Sequence, residues 1–187
     1  ISGASGLPYG VRLLEVLQRV PDYEVHLVMT AAAKLNVGIE TDLKIEDVEK
    51  LAHVVHSVRN ISASIASGSF RTEGMIVAPC SMRTLSGIVH SNSDNLLLRA
   101  ADVVLKERRR LVVLPREAPL HTGHCKLMYE ASLMGVIVFP PMPAFYHRPR
   151  SLDDILDGTV GRVLDLFGID SGLVRPWTGS IQLAEDE

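Results

Sequence analysis

Three short stretches gather hydroxyls and small residues: Gly3-Ala4-Ser5-Gly6, Thr30-Ala31-Ala32-Ala33 and Ser81-Met82-Arg83-Thr84. Small residues let backbone N–H groups approach an anion at the start of a helix, and each hydroxyl adds a donor and an acceptor. Singly, each stretch also reads as a capped turn that binds nothing. The first matches neither the full dinucleotide glycine fingerprint nor the phosphate P-loop. Each follows an apolar run, and three in succession suggest one elongated ligand carrying a phosphate or a flat polar ring. After a further apolar run come Arg116 and Glu117, which read either as a surface ion pair or as a cation and carboxylate placed for chemistry. "PPMPAFYHRP", Pro140 to Pro149, is too rich in proline for a helix and carries Tyr146, His147 and Arg148. It reads as a rigid connector or as a wall that keeps water from a reactive centre.

Arg99 and Lys106 stand seven residues apart, two helical turns, and so share a face. With Arg116 and Arg162 they could bring several cations to a doubly charged phosphate. The rest of "KERRR", Lys106 to Arg110, reads as a solvated helix end. His121 and His124 in "HTGH" have a possible ligand spacing but no evident third ligand, so they read as structural or surface residues and no metal site is expected. Cys80 reads as a small apolar residue at a strand end rather than a nucleophile.

These residues need a scaffold. Short, β-branched runs recur at Val25 to Met29, Met75 to Ala78, Leu111 to Leu114 and Val136 to Phe139, as strands covered on both faces should. Ile1 reads as the end of another strand. Since a strand runs about five residues, further residues are expected upstream, where a short targeting peptide would escape notice. Helical stripes lie between the strands: Leu13, Leu14 and Leu17; then Leu97, Ala101, Val104 and Leu105. Ser151 with Asp154 opens a last helix whose stripe is Leu152, Ile155, Leu156, Thr159 and Val163, and Gly168 closes it. The segment from Lys34 to Arg71 reads as mostly helical, with a polar, small-residue portion from Ser57 to Ser69. Strands alternating with helices predict an α/β, three-layer, doubly wound parallel sheet, with ligands beyond the carboxyl ends of its strands. Residues 1–187 read as a single domain with an irregular tail from about residue 171 and a mobile end.

Composition narrows the partners. The 187 residues suffice for one ordinary core, with 47% hydrophobic and 22% charged residues. No apolar run approaches the roughly 20 residues of a membrane helix. The formal net charge of -3 speaks against a general nucleic-acid binder. Two distant cysteines and no evident leader make the reducing cytoplasm the default location.

"GASG" with "YGVRLLEVL", then "APCSMRTLSGI", "DNLLLRAADVVLKERR", "LPREAPLH" and "PPMPAFYHRPRSLDDILDGTVGRVLDLFGI" together resemble the UbiX-type flavin prenyltransferases, also known as phenylacrylic acid or hydroxybenzoate decarboxylase subunits. The resemblance runs from Ile1 to about Trp177. It implies a flavodoxin-like or Rossmann-like flavoprotein domain, assembled as a homododecamer with active sites at subunit interfaces. The implied reaction joins a dimethylallyl group from dimethylallyl phosphate to N5 and C6 of reduced FMN, without a metal. The product, prenylated FMN, serves a partner UbiD-type decarboxylase.

By motif, the resemblance assigns FMN contacts to Gly3, Ala4, Ser5, Thr30, Ser81, Met82, Arg83, Thr84 and Arg116. Position 30 is usually serine in the family, and threonine keeps the hydroxyl. Arg99, Lys106, Tyr146, Arg162 and Trp177 match the prenyl-phosphate site. Ser5 and Glu117 match residues of proton transfer, and Glu40 an acidic residue that reaches the site from a neighbouring subunit. Two alternatives stand beside this one: an FMN-dependent enzyme like phosphopantothenoylcysteine decarboxylase, and a non-catalytic FMN carrier.

Overall fold

The computed structural model describes residues 1–174. Along the chain run α1 (Leu7–Leu17), β1 (His26–Val28), α2 (Ala31–Glu40), α3 (Ile45–Glu49), β2 (Val54–His56), β3 (Gly74–Cys80), α4 (Met82–Val89), α5 (Leu96–Lys106), β4 (Arg110–Pro115), α6 (Thr122–Leu133), β5 (Ile137–Val138) and α7 (Leu152–Asp165). Two 3₁₀ turns, Ser64–Ala66 and Phe145–His147, interrupt the longer connections.

All strand pairs are parallel. β1 pairs with β2, His26 opposite Val54, while β3, β4 and β5 pair in that order, Met75 opposite Leu111 and Val112 opposite Ile137. Ile1 and Ser2 bridge the two groups. The Ile1 nitrogen donates to the Val28 carbonyl at 2.9 Å, the Thr30 N–H donates to the Ile1 carbonyl at 3.1 Å, and the Ser2 N–H donates to the Pro79 carbonyl at 3.1 Å. The strand order therefore reverses at the "ISGASG" segment, where sheets of this kind open a crevice for ligands.

β4 shows why the layers form. Leu111, Val112, Val113 and Leu114 are all fully buried. Alternate side chains face opposite ways: Leu111 and Val113 join Leu85, Leu97 and Ala131 beneath α4, α5 and α6, while Val112 and Leu114 join Leu13, Val160 and Leu164 beneath α1 and α7. Each of these buried aliphatic side chains contributes about 1.5–3 kcal/mol. A third cluster, with Leu7, Leu27, Val37 and Val48, seats α2 and α3. A cavity of about 390 Å³ lies between β1 and β3, lined by Leu13, Leu27, Gly74, Ala78 and Val103 among others. It opens toward the amino edge of the sheet, where Asp22, Glu24, Arg71, Glu73 and Arg109 also line it.

The helix signals read from sequence match the elements closely. Thr30 accepts from the Ala33 N–H, Ser81 from the Thr84 N–H, and Ser151 with Asp154 forms a reciprocal capping box. Gly168 takes a left-handed conformation (φ 71°) just past α7, and its N–H donates to the Asp165 carbonyl. The segment from Lys34 to Arg71 departs from the helical expectation: beyond α2 and the five-residue α3 it contains β2 and a 3₁₀ turn. β2 is a three-residue edge strand with only partial burial, so it lacks the continuous apolar run of a central strand. Among the described residues no helix is long and apolar enough to cross a membrane.

Candidate active site

Parallel strands place all their carboxyl ends at one edge, so the turns after Ser2, Met29, Cys80 and Pro115 converge there. Ser2, 1% exposed, holds two of them together: its hydroxyl donates to the Pro79 carbonyl at 3.1 Å and accepts the Ser81 N–H at 2.8 Å. The Arg116 N–H donates to the Cys80 carbonyl at 3.2 Å, and the Arg116 Nε donates to the Ser5 carbonyl at 3.2 Å. The Ser81 hydroxyl donates to Thr84 Oγ1 at 3.1 Å. Gly3, Ala4, Ser5, Thr30, the 81–84 turn and Arg116 thus stand together at one edge.

Gly6 caps α1 in a left-handed conformation (φ 104°), open to glycine at little cost. A Cβ on Gly3 would overlap the Cβ of Ala32, so α2 lies directly against the turn. From α2, the Asn36 Nδ2 donates to the Ala4 carbonyl at 3.0 Å. Ser5 is exposed between these supports. The sequence reading missed Ser2 and Asn36. Ser2 passed as part of a strand fragment, and Asn36 carries no motif, though its spacing of four from Glu40 puts both on one face of α2.

Glu40, which the resemblance assigns to a neighbouring subunit's site, meets the start of α1 within its own chain. Its carboxylate accepts the N–H groups of Gly6 at 2.8 Å and Leu7 at 2.9 Å in its own chain. These are orphan donors at a helix N-terminus, where the helix dipole also favours negative charge. An anionic ligand at this edge is therefore directed to the helix starts at Thr30 and Ser81 and to Arg116. That donor set suits a flavin: two hydroxyl-capped helix starts and a guanidinium for the phosphate, and small residues along the GASG turn for a flat ring.

Arg116 and Glu117 do not form the surface ion pair that was one reading. Arg116 holds Ser5, and Glu117 accepts the following Ala118 N–H at 3.1 Å; both are exposed. Cys80 is fully buried, and burial pushes its thiol up to about 12, which leaves no thiolate at neutral pH. His121 accepts the Gly123 N–H as cap of α6 and packs its ring 3.6 Å from that of His124.

Of the cations that the resemblance assigns to prenyl phosphate, Lys106 and Arg162 lie elsewhere. Lys106 ends α5, four residues before β4 begins, at the amino edge of the sheet, where it pairs with Glu107. One face of α5 also carries Arg99, bound to the Ala66 carbonyl at 3.2 Å and to Asp102 at 2.8 Å. Arg162, paired with Asp165, sits in the last turn of α7 on the opposite face of the sheet. Phe167, just beyond, packs near Gly74 and under the Arg110 guanidinium, which fixes this end of α7 at the amino edge as well. Tyr146 is exposed on the connection after β5, its ring 4.1 Å from that of His147. Trp177 lies outside the described residues. Within the basic run, Arg109 is no solvated end: it donates to the carbonyls of Gly68 at 2.7 Å and Phe70 at 2.8 Å.

Comparison with known proteins identifies the family of the chain. A family model described as Flavoprotein matches residues 1–163. The flavin prenyltransferase UbiX of Escherichia coli K12 is 58% identical over 182 residues, covering 96% of each chain. The chain belongs to the UbiX flavin prenyltransferase family. Two solved structures of UbiX proteins share its fold closely. A dodecameric FMN-dependent UbiX-like decarboxylase from Escherichia coli O157:H7 superposes with a TM-score of 0.92 at 51% identity, over 95% of this chain and 96% of that one. A UbiX in complex with FMN and dimethylallyl pyrophosphate gives 0.93 at 45% identity, over 96% and 95%. UbiX membership names the activity, prenyl transfer to flavin, and sets aside the cysteine-decarboxylase alternative.

Proposed function

We propose that the chain joins the five-carbon group of dimethylallyl phosphate to N5 and C6 of reduced FMN, and that it builds the site from more than one copy of itself. The observation that carries the reading is the convergence of Gly3-Ala4-Ser5, Thr30, the 81–84 turn and Arg116 at one sheet edge, pinned by Ser2 and Arg116 itself. These residues hold FMN. Arg99, near the start of α5, stands toward the carboxyl edge, but Lys106 and Arg162 stand at the amino edge and on opposite faces, so one chain cannot close those two around a substrate at Ser5. Neighbouring copies supply them, in a homo-oligomer like that of the dodecameric relative.

In the completed site the cations take up charge as the carbon–oxygen bond to phosphate breaks and the carbon–N5 bond forms. Tyr146 and Trp177 give the developing allylic cation an electron-rich, dry wall. Ring closure requires loss of the proton on C6, and Glu117, on an exposed turn beside Arg116, takes it directly or through the released phosphate. Ser5 relays protons near N5, and Glu40 keeps a negative charge one residue from it. The product is fitted to a decarboxylase that uses prenylated FMN.

The test is anaerobic incubation of the protein with dithionite-reduced FMN and dimethylallyl phosphate, followed by mass measurement of the released flavin. A flavin heavier by one five-carbon unit is expected. Unaltered flavin, with binding intact, would instead support the carrier alternative.

A further inference from the structure

Three side chains from two other elements grip the peptide groups around Ser5. The Asn36 Nδ2 donates to the Ala4 carbonyl, the Arg116 Nε donates to the Ser5 carbonyl, and the Glu40 carboxylate accepts the Gly6 N–H. Each contact has the polarity its peptide group demands: donors meet the two carbonyls, and an acceptor meets the N–H. The orientation of the Asn36 amide follows from its partner, since a carbonyl oxygen only accepts. With both peptide groups flanking Ser5 held, Ala4–Ser5 by one contact and Ser5–Gly6 by two, the exposed Ser5 side chain leaves the turn in one direction.

We propose that Asn36 is a positioning residue of the flavin site, acting through the Ala4 carbonyl to fix the peptide plane from which Ser5 projects. The proposal rests on reading the GASG turn as the flavin contact. Asn36 is half-buried on the inner face of α2, one helical turn before Glu40. The two side chains therefore move with α2 as one clamp. Without Asn36 the Ala4 carbonyl turns to water, and the Ala4–Ser5 peptide regains freedom that the remaining contacts restrict only from the other side. Arg116 and Glu40 are the charged groups that meet the same turn, from the β4 loop and from α2.

The test uses two variants of the whole chain. Asn36→Asp keeps the shape and removes the donor while the new carboxyl is ionised; Asn36→Ala removes both. Loss of one neutral hydrogen bond should lower kcat/KM for reduced FMN roughly three- to tenfold in each variant, with KM for dimethylallyl phosphate unchanged. As pH falls from about 8 toward about 4, the ordinary range of an aspartate, the Asp variant alone should recover, because its protonated carboxyl again donates to the Ala4 carbonyl. Wild-type kinetics in both variants would overturn the proposal, as would equal, pH-independent losses toward both substrates. Fluorescence titration of FMN separates this from failure of the broader reading. If the wild type binds flavin but transfers no prenyl group, weaker FMN binding in both variants still supports the clamp, and unchanged binding still refutes it.

Discussion

Gly3 shows how tightly single residues set the flavin edge. A Cβ there would collide with Ala32, and the neighbouring contacts are backbone atoms of α2, which cannot swing aside as a flexible side chain would. Gly3→Ala should therefore push α2 off the turn, taking Asn36 and Glu40 with it. Overpacking of this kind costs about 1–3 kcal/mol, so a lower melting temperature and weaker FMN binding are expected together. A variant that melts and binds FMN like the wild type would show that α2 does not brace the turn. The hydroxyls of Ser5, Thr30 and Ser81 were legible in the sequence because each follows an apolar strand. Asn36 and Ser2 were not, because their partners are backbone atoms 32 and 77–79 residues away. Glu40 was legible as an acidic group, but the helix end that receives it is a fact of tertiary packing.

At the scale of elements, the strands of the central sheet announced themselves through burial on both faces, and the helix starts through their caps. β2 did not, since an edge strand of three residues has neither signal. Its packing has a consequence in acid. His56 Nε2 lies 2.8 Å from His26 Nδ1 across the β1–β2 pair, while His26 Nε2 contacts Glu24 at 2.6 Å and the His26 ring packs on Phe70. Burial, and secondarily the charge of His26, holds the pKa of His56 below its ordinary value of 6.5. The folded state thus favours neutral imidazole, and below that value the unfolded chain binds more protons. This contribution to stability is fully present above pH 6.5 and is lost as pH falls through the depressed value. His56→Asn should flatten the decline of the urea midpoint on acidification. An acid limb identical to the wild type's would contradict this account of the β1–β2 edge.

For the whole molecule, the sheet separates the two halves of the proposed site. The flavin turns lie at the carboxyl edge, while Lys106 and Arg162 lie at the amino edge beneath different helical layers. No rearrangement short of unfolding brings Lys106 to Ser5 in one chain, because α5 and β4 are locked by the side chains of Leu111 and Val113. Sequence alone placed Ser5, Lys106 and Arg162 in one functional set through the resemblance, without showing that the fold holds them apart; that separation follows from topology and could not be read from spacing. The central claim is a site shared between copies, and mixed assembly tests it most directly. Ser5→Ala and Arg162→Ala chains, each inactive alone, should be co-assembled and assayed for prenylated flavin. If sites combine the flavin edge of one copy with cations of another, random mixing restores both wild-type halves in about a quarter of sites, and activity should reappear toward that fraction of the wild-type rate. If each chain instead carries its own complete site, every site keeps one lesion, and the mixture stays as inactive as its parts.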